Sequence, residues 1–122
     1  MKYAALLTNN ADEVAAWEQM SPEEAASARA EEVPKWEALF GELGQTGKLG
    51  FGAELDSPQT AKTVRVRDGE TLVTDGPFAE TKEQIGGLME IEAEDLDAAI
   101  AIAARIPVAV RASVELRPVI EH

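Results

Sequence analysis

The chain has 122 residues, 45% of them hydrophobic, and its 23 acidic and 11 basic residues give a formal net charge of −12. This length and composition predict one globular domain spanning 1–122, without an internal repeat or linker. The sequence has no cysteine, and its one histidine is His122 at the very end, which excludes disulfides, thiolate chemistry, a Ser-His-Asp arrangement and histidine-rich metal sites within one chain.

The surplus of negative charge argues against direct nucleic-acid binding, because an acidic surface repels phosphate backbones and anionic membranes alike. No apolar run approaches the roughly 20 residues that cross a bilayer. The apolar start of the chain lacks a signal-peptide cleavage pattern behind it. We therefore expect a cytoplasmic protein that does not bind membranes, and no residue pattern points to a cofactor or a metal.

The first predicted element is a strand over residues 2–8, followed by a turn at Asn9-Asn10 and a short helix from Asp12 to about Met20. A second helix begins at Ser21, which is followed by proline and, three positions on, by glutamate, the pattern of a capping box. Pro34 lies inside this predicted helix, where it should cause a kink and leave the helix otherwise continuous.

The pair Asp68-Gly69 lies between two alternating runs and predicts a β-hairpin, because a type I′ turn needs positive φ at both central residues. A two-residue loop would place Arg67 opposite Glu70 and Val64 opposite Val73. Asp95 is a predicted helix cap, and that helix should stop before a proline. The remaining predicted strands cover residues 48–55, 85–92 and 113–119.

With the hairpin set aside as an insertion, the predicted order is βαββαβ, an α+β arrangement of the ferredoxin-like kind with helices on one face of an antiparallel sheet. The strands are nevertheless apolar on both faces, since Leu88 and Ile91 have opposite parity. A face left bare by the helices needs a partner, and a second copy of the chain is the simplest one. We therefore predict a homodimer whose sheets pack face to face.

Three segments, 61–69, 72–87 and 113–118, resemble the DGPF branch of the YCII-related family, and the run from Thr74 to Gly87 carries the resemblance most clearly. The resemblance implies a dimeric α+β barrel and a biochemical role that is largely unestablished. YCII-type relatives are suspected of activity through a His–Asp pair, but this sequence has no interior histidine. DGPF proteins are often encoded beside alternative sigma factors, which implies a sigma factor as a candidate partner.

The residues that carry over from the resemblance are the acidic and loop residues that begin at Asp75. Asp75 has two interpretations: a turn cap that bonds backbone N–H groups, or a carboxylate that faces a cleft. Glu80 is the second candidate catalytic residue, because two nearby carboxylates raise one another's pKa. The alternative for Glu80 and Lys82 is a solvated charge pair in a loop.

The candidate binding residues are Gly76, Pro77, Lys82 and Arg65. Gly76 and Pro77 fix the turn, while Lys82 could bracket a polar ligand together with Asp75. Arg65 forms a basic spot on the hairpin, which could attract an anion or merely protect an exposed strand edge. The function predicted from these residues is binding of, or action on, a small polar molecule in a cleft near the dimer interface. The alternative is a regulatory protein that contacts a sigma factor without catalysis.

Overall fold

The computed structural model describes residues 1–79 and 81–122. Its helices and strands are, in chain order, β1 (Lys2–Asn10), α1 (Ala11–Gln19), α2 (Pro22–Ala30), α3 (Val33–Gln45), β2 (Leu49–Glu54), a 3₁₀ turn (Pro58–Thr60), β3 (Lys62–Arg67), β4 (Glu70–Asp75), β5 (Glu83–Glu92), α4 (Leu96–Ala103), α5 (Val108–Arg111) and β6 (Val114–Pro118).

Four of the strands form an antiparallel sheet in the order β2-β5-β1-β6. Helices α1 to α3 connect β1 to β2, and helices α4 and α5 connect β5 to β6. This is the strand order and connectivity of a ferredoxin-like α+β fold, so the predicted fold class is confirmed.

The hydrophobic core lies on one face of this sheet. Tyr3, Ala5 and Leu7 alternate along β1 and pair with Ile91, Met89 and Gly87 of β5, all of them buried. Leu39 and Leu43 of α3 and Ala99 and Ile102 of α4 pack against the same face. On the opposite face, Leu6 pairs directly with Leu88, and both side chains are only half-buried.

The predicted helix caps are present where the sequence placed them. The hydroxyl of Ser21 accepts a hydrogen bond from the N–H of Glu24 at 3.1 Å, and the carboxylate of Asp95 accepts one from Ala98 at 2.8 Å. Asn10 does not form the predicted turn. It ends β1 and caps α1, and its side chain accepts the N–H of Asp12 at 2.8 Å.

The prediction of one kinked helix through Pro34 is wrong. Helix α2 ends at Ala30, and α3 begins at Val33, which places Pro34 in the first turn of a new helix. Proline lacks a backbone N–H, and the first turn of a helix does not need one. The N–H of Glu32 instead bonds the carbonyl of Arg29 at 3.0 Å and closes the turn between the helices.

The predicted hairpin is confirmed with its register. Asp68 and Gly69 both have positive φ, at 52° and 78°, and Arg67 faces Glu70 while Val64 faces Val73. Strands β3 and β4 form a sheet of their own, and the valine side chains on one of its faces are exposed.

Two further features complete the fold. Helix α5, a single turn from Val108 to Arg111, is absent from the sequence prediction. No helix in the described part of the chain is long and apolar enough to cross a membrane.

Candidate functional site

A groove of about 1030 Å³ lies between the helices that follow β1 and the strands β1, β2 and β5. Trp17 of α1 and Trp36 of α3 both line it, and they are the only two tryptophans in the sequence. Phe40, one helical turn after Trp36, adds a third ring whose centroid is 5.3 Å from that of Trp36. We call this cavity the tryptophan groove.

Two glycines of β5 allow the strands to approach closely at the floor of the groove. A Cβ atom at Gly86 would lie only 1.9 Å from the side-chain nitrogen of Asn9, and one at Gly87 would lie 3.1 Å from the carbonyl of Ala53. Asn9 and both glycines line the groove. Any other residue at Gly86 would displace the Asn9 amide, which is one of the polar groups that the sheet contributes to the cavity.

A three-residue ion cluster forms one wall of the tryptophan groove. Arg111 of α5 donates two hydrogen bonds to Glu32, from Nε at 2.7 Å and from Nη2 at 3.3 Å, and a third to Glu13 of α1 from Nη1 at 3.0 Å. All three side chains are about two-thirds buried. The cluster ties α5 to α1 and to the turn before α3.

The bidentate pair shifts the protonation equilibria of both partners. Hydrogen bonds from Arg111 hold the pKa of Glu32 below its usual range, against an opposing effect of burial. Hydrogen bonds to Glu32 likewise raise the pKa of Arg111. Glu32 is therefore ionised at neutral pH and both of its oxygens are occupied. Glu13 uses only Oε2, and its other oxygen has no hydrogen-bond partner among the residues described.

A further ion pair, between Arg29 and Glu54, also lines the groove. The guanidinium of Arg29 lies over the ring of Trp17, 4.8 Å from its centroid, and its Nη2 donates to Glu54 of β2 at 3.1 Å. Glu18, one helical position after Trp17, accepts hydrogen bonds from Ser57 at 2.6 Å and from Gln59 at 2.8 Å.

The charges that line the tryptophan groove do not balance. The two guanidinium groups are opposed by five carboxylates, which gives a net charge of −3; the carboxylates belong to Glu13, Glu18, Glu32, Glu54 and Asp56. Within the described residues, no group of three or more acidic or histidine side chains is placed to hold a metal ion. The groove therefore offers aromatic surface and hydrogen-bond acceptors.

The residues predicted from the sequence lie elsewhere. Asp75 ends β4 with its side chain 86% exposed and forms an ion pair with Lys62 across the hairpin. Its carboxylate caps no backbone N–H among the described residues. The turn after it is held by Gly76, which has a φ of +92°, donates to the carbonyl of Ala61 at 2.8 Å and accepts the Thr63 hydroxyl at 2.8 Å. Pro77 is half-buried beside it.

Arg65 lies on the exposed hairpin, and Lys82 is exposed just before β5. Glu80 lies outside the described residues. None of Asp75, Gly76, Pro77, Lys82 and Arg65 lines the tryptophan groove. The structure does not bring these residues together with the groove, and the roles predicted for them stay predictions.

Sequence reasoning missed the residues that line the groove. Trp17 and Trp36 lie at helical spacing with other apolar residues, which favours core or dimer contacts over a ligand site. Sequence reasoning had no reason to single out Arg111, because the residues that Arg111 binds are 79 and 98 positions away in the chain. The one local signal was the presence of both tryptophans in a chain with few aromatic residues.

Comparison with known proteins gives three findings. The family description "YCII-related domain" matches residues 1–122. An uncharacterized protein of Rhizobium meliloti (strain 1021) is 37% identical over 100 residues, which cover 82% of this chain and 75% of that protein. The solved structure of a 5-chloro-2-hydroxyhydroquinone dehydrochlorinase from Burkholderia phenoliruptrix AC1100, in complex with 2,5-dihydroxybenzoquinone, superposes with a TM-score of 0.54. At 13% identity over 100% of this chain and 96% of the other, that likeness concerns the fold alone.

Proposed function

The chain belongs to the YCII-related family, and we propose that it binds a small ring-shaped molecule with hydroxyl groups in the tryptophan groove. The observation that carries this proposal is the presence of both tryptophans of the chain in one cavity beside the Glu13–Arg111–Glu32 cluster. Ligand sites are typically concave, largely apolar and supplied with a few fixed polar groups. The tryptophan groove has each of these properties.

The aromatic side chains suit a flat ligand. Trp36 and Phe40 pack against one another at a tilt of 38°, so each supports the other while lining the groove. A ring that packs between or against indoles gains apolar contact and favourable aromatic geometry. The groove volume of about 1030 Å³ leaves ample room for a single ring and its substituents.

The polar wall suits hydroxyl groups. Arg111 holds Glu13 through one oxygen, and the second oxygen remains able to accept a hydrogen bond from a ligand. A carboxylate fixed in this way accepts from a phenolic hydroxyl more strongly than a neutral acceptor does. Glu13 is thus the residue we assign to binding a hydroxyl group of the ligand.

A solved structure of the same fold holds a ligand of this size and shape. That dehydrochlorinase was crystallised with 2,5-dihydroxybenzoquinone, a single ring with hydroxyl substituents. The proposal for this chain extends to the size and shape of the ligand and to its hydroxyl groups, and it leaves the reaction open.

The test is titration of the protein with hydroquinone, followed by tryptophan fluorescence. Saturable quenching is expected, because every tryptophan in the chain lines the groove. Replacing Glu13 with Ala should weaken binding by roughly tenfold, the usual loss for a hydrogen bond to a charged group. The matched control is Glu42→Ala, since Glu42 also pairs with an arginine, Arg105, but does not line the groove. Absence of saturation, or equal weakening in both variants, would contradict the proposal.

We also propose that the protein is a homodimer, as the sequence predicts. The half-buried apolar pair Leu6 and Leu88 lies on the sheet face opposite the core. Leu88 also lines the tryptophan groove, so contact through that face would lie beside the groove. Membership of the DGPF branch rests on the sequence resemblance, and the sigma-factor alternative gains no support from the relatives found.

A further inference from the structure

We infer that the tryptophan groove selects its ligand by charge, taking ring molecules that carry an ammonium group and rejecting those that carry a carboxylate. This inference rests on the proposed function, and it adds a charge class that neither the family nor the solved relative specifies. It follows from the ionic groups of the groove and from a cation that already lies against Trp17.

The negative charges of the groove are hydrogen-bonded without being neutralised. Arg111 is shared between Glu13 and Glu32, so this cluster of three keeps one net negative charge. Glu18 is satisfied by Ser57 and Gln59, which are neutral donors, and its charge remains in full. Hydrogen bonding therefore holds these carboxylates in place without cancelling their formal charge, which leaves the groove attractive to a cation.

The position of Arg29 shows where a cation fits. Its guanidinium lies 4.8 Å from the ring centroid of Trp17 and 3.1 Å from Glu54. A cation over an indole face and beside a carboxylate is stabilised by both. A ligand ammonium placed at the same point would meet the same two partners.

The contacts of Arg29 are weak enough for a ligand to displace its guanidinium from Trp17 and Glu54. Its side chain is 55% exposed and that of Glu54 is 71% exposed, and ion pairs this exposed contribute little to stability. A ligand that also packs its ring in the groove has additional contacts that Arg29 lacks. Displacement of Arg29 by a ring-bearing ammonium is therefore favourable.

A ligand that carries a carboxylate is repelled by the groove. Both arginines that line the groove are already paired, and a ligand carboxylate would add a sixth negative charge to the five present. The whole chain, at −12, repels it further. At physiological ionic strength screening acts over about 8 Å, so the charges within the groove still act on a bound ligand.

The experiment compares three phenols of similar size that differ in charge: tyramine, para-ethylphenol and para-hydroxyphenylacetate. Calorimetric titration at neutral pH should give tyramine roughly tenfold tighter binding than para-ethylphenol, and para-hydroxyphenylacetate the weakest. Raising the salt concentration should reduce the differences in affinity among the three phenols, because salt screens the charges of the groove. 2,5-Dihydroxybenzoquinone, the ligand of the solved relative, is an acid that is anionic at neutral pH, and it should bind poorly here.

A gain-of-function variant separates the inference from effects on folding. Arg29→Gln removes the resident cation from Trp17, and it should increase the preference for tyramine over para-ethylphenol by roughly three- to tenfold. Arg105→Gln is the matched control: it changes the net charge equally and also breaks an exposed ion pair, but Arg105 does not line the groove. Glu54→Gln should reduce the same preference.

The outcomes distinguish this inference from the proposed function. Equal affinity for the three phenols, or tightest binding of para-hydroxyphenylacetate, would overturn the charge selection while leaving the groove as a ring-binding site. Failure of all three to bind would overturn both proposals. An identical response to Arg29→Gln and Arg105→Gln would show that net charge, and not a cation position at Trp17, sets the preference.

Discussion

At the scale of single residues, the structure separates two groups of acidic side chains. Glu13 and Glu32 are about two-thirds buried and share one arginine from a distant part of the chain. Asp75, the carboxylate that the sequence favoured, is exposed and pairs only with its cross-strand neighbour Lys62. A partly buried, arginine-held carboxylate is better suited to ligand binding, because low exposure strengthens its interactions.

Asp75 provides the first test at this scale. Both Asp75→Asn and Asp75→Ala should shift the midpoint of thermal unfolding by less than about 2 °C, because an exposed ion pair contributes little. Hydroquinone affinity should be unchanged in both variants. A large loss of stability in Asp75→Ala that Asp75→Asn avoids would restore the turn-cap interpretation. Loss of ligand binding would instead support the cleft-facing carboxylate that the sequence suggested.

At the scale of elements, the break between α2 and α3 matters most for the site. Glu32 lies in that break, at the residue before α3, where the turn directs its carboxylate to both Nε and Nη2 of Arg111. A continuous helix through Pro34 would have required a bond from position 34 to the carbonyl of Ala30, which proline cannot make. The proline therefore helps to define the wall of the groove.

Replacing Pro34 with Ala tests this position in the helix. Proline at the start of a helix stabilises by restricting the unfolded chain, so Pro34→Ala should lower the free energy of unfolding by about 0.5–1 kcal/mol, measured by urea denaturation. Pro22→Ala, at the first residue of α2, should lower the free energy of unfolding by a similar amount. A proline inside a kinked helix would give the opposite sign: removing it would stabilise, since a mid-helix proline costs about 3 kcal/mol.

At the scale of the whole molecule, two apolar surfaces are left partly or largely exposed by the described chain. One is the sheet face that carries Leu6 and Leu88. The other is the exposed valine face of the β3–β4 hairpin, with Val64 at 60% and Val73 at 59% exposure. A two-stranded hairpin is marginally stable alone, and exposed apolar patches commonly mark contacts between protein chains.

The dimer proposal is tested by sedimentation equilibrium at micromolar concentration, where the mass should be about twice the 13.1 kDa of the chain. Leu6→Lys places a charge in the centre of the proposed interface and should yield monomers that remain folded. Val110→Lys is the control, because Val110 is 88% exposed on α5, away from that sheet face. A monomeric native protein with an intact fold would exclude the face-to-face arrangement.

Local chemistry was sufficient to predict the fold. The caps at Ser21 and Asp95, the positive φ angles at Asp68-Gly69 and the alternation of the strands each depend on residues within a few positions, so the α+β order could be read from the sequence. The break before α3 could not be predicted from the sequence, because a proline near the start of a helix and one inside a helix look alike in sequence. The tryptophan groove depended on the tertiary structure, which alone brings Arg111 to Glu13 and Glu32 and sets two indoles on one cavity. Long-range ion pairs and shared cavities leave no periodic signal, because chain folding, and not spacing along the chain, decides which side chains meet.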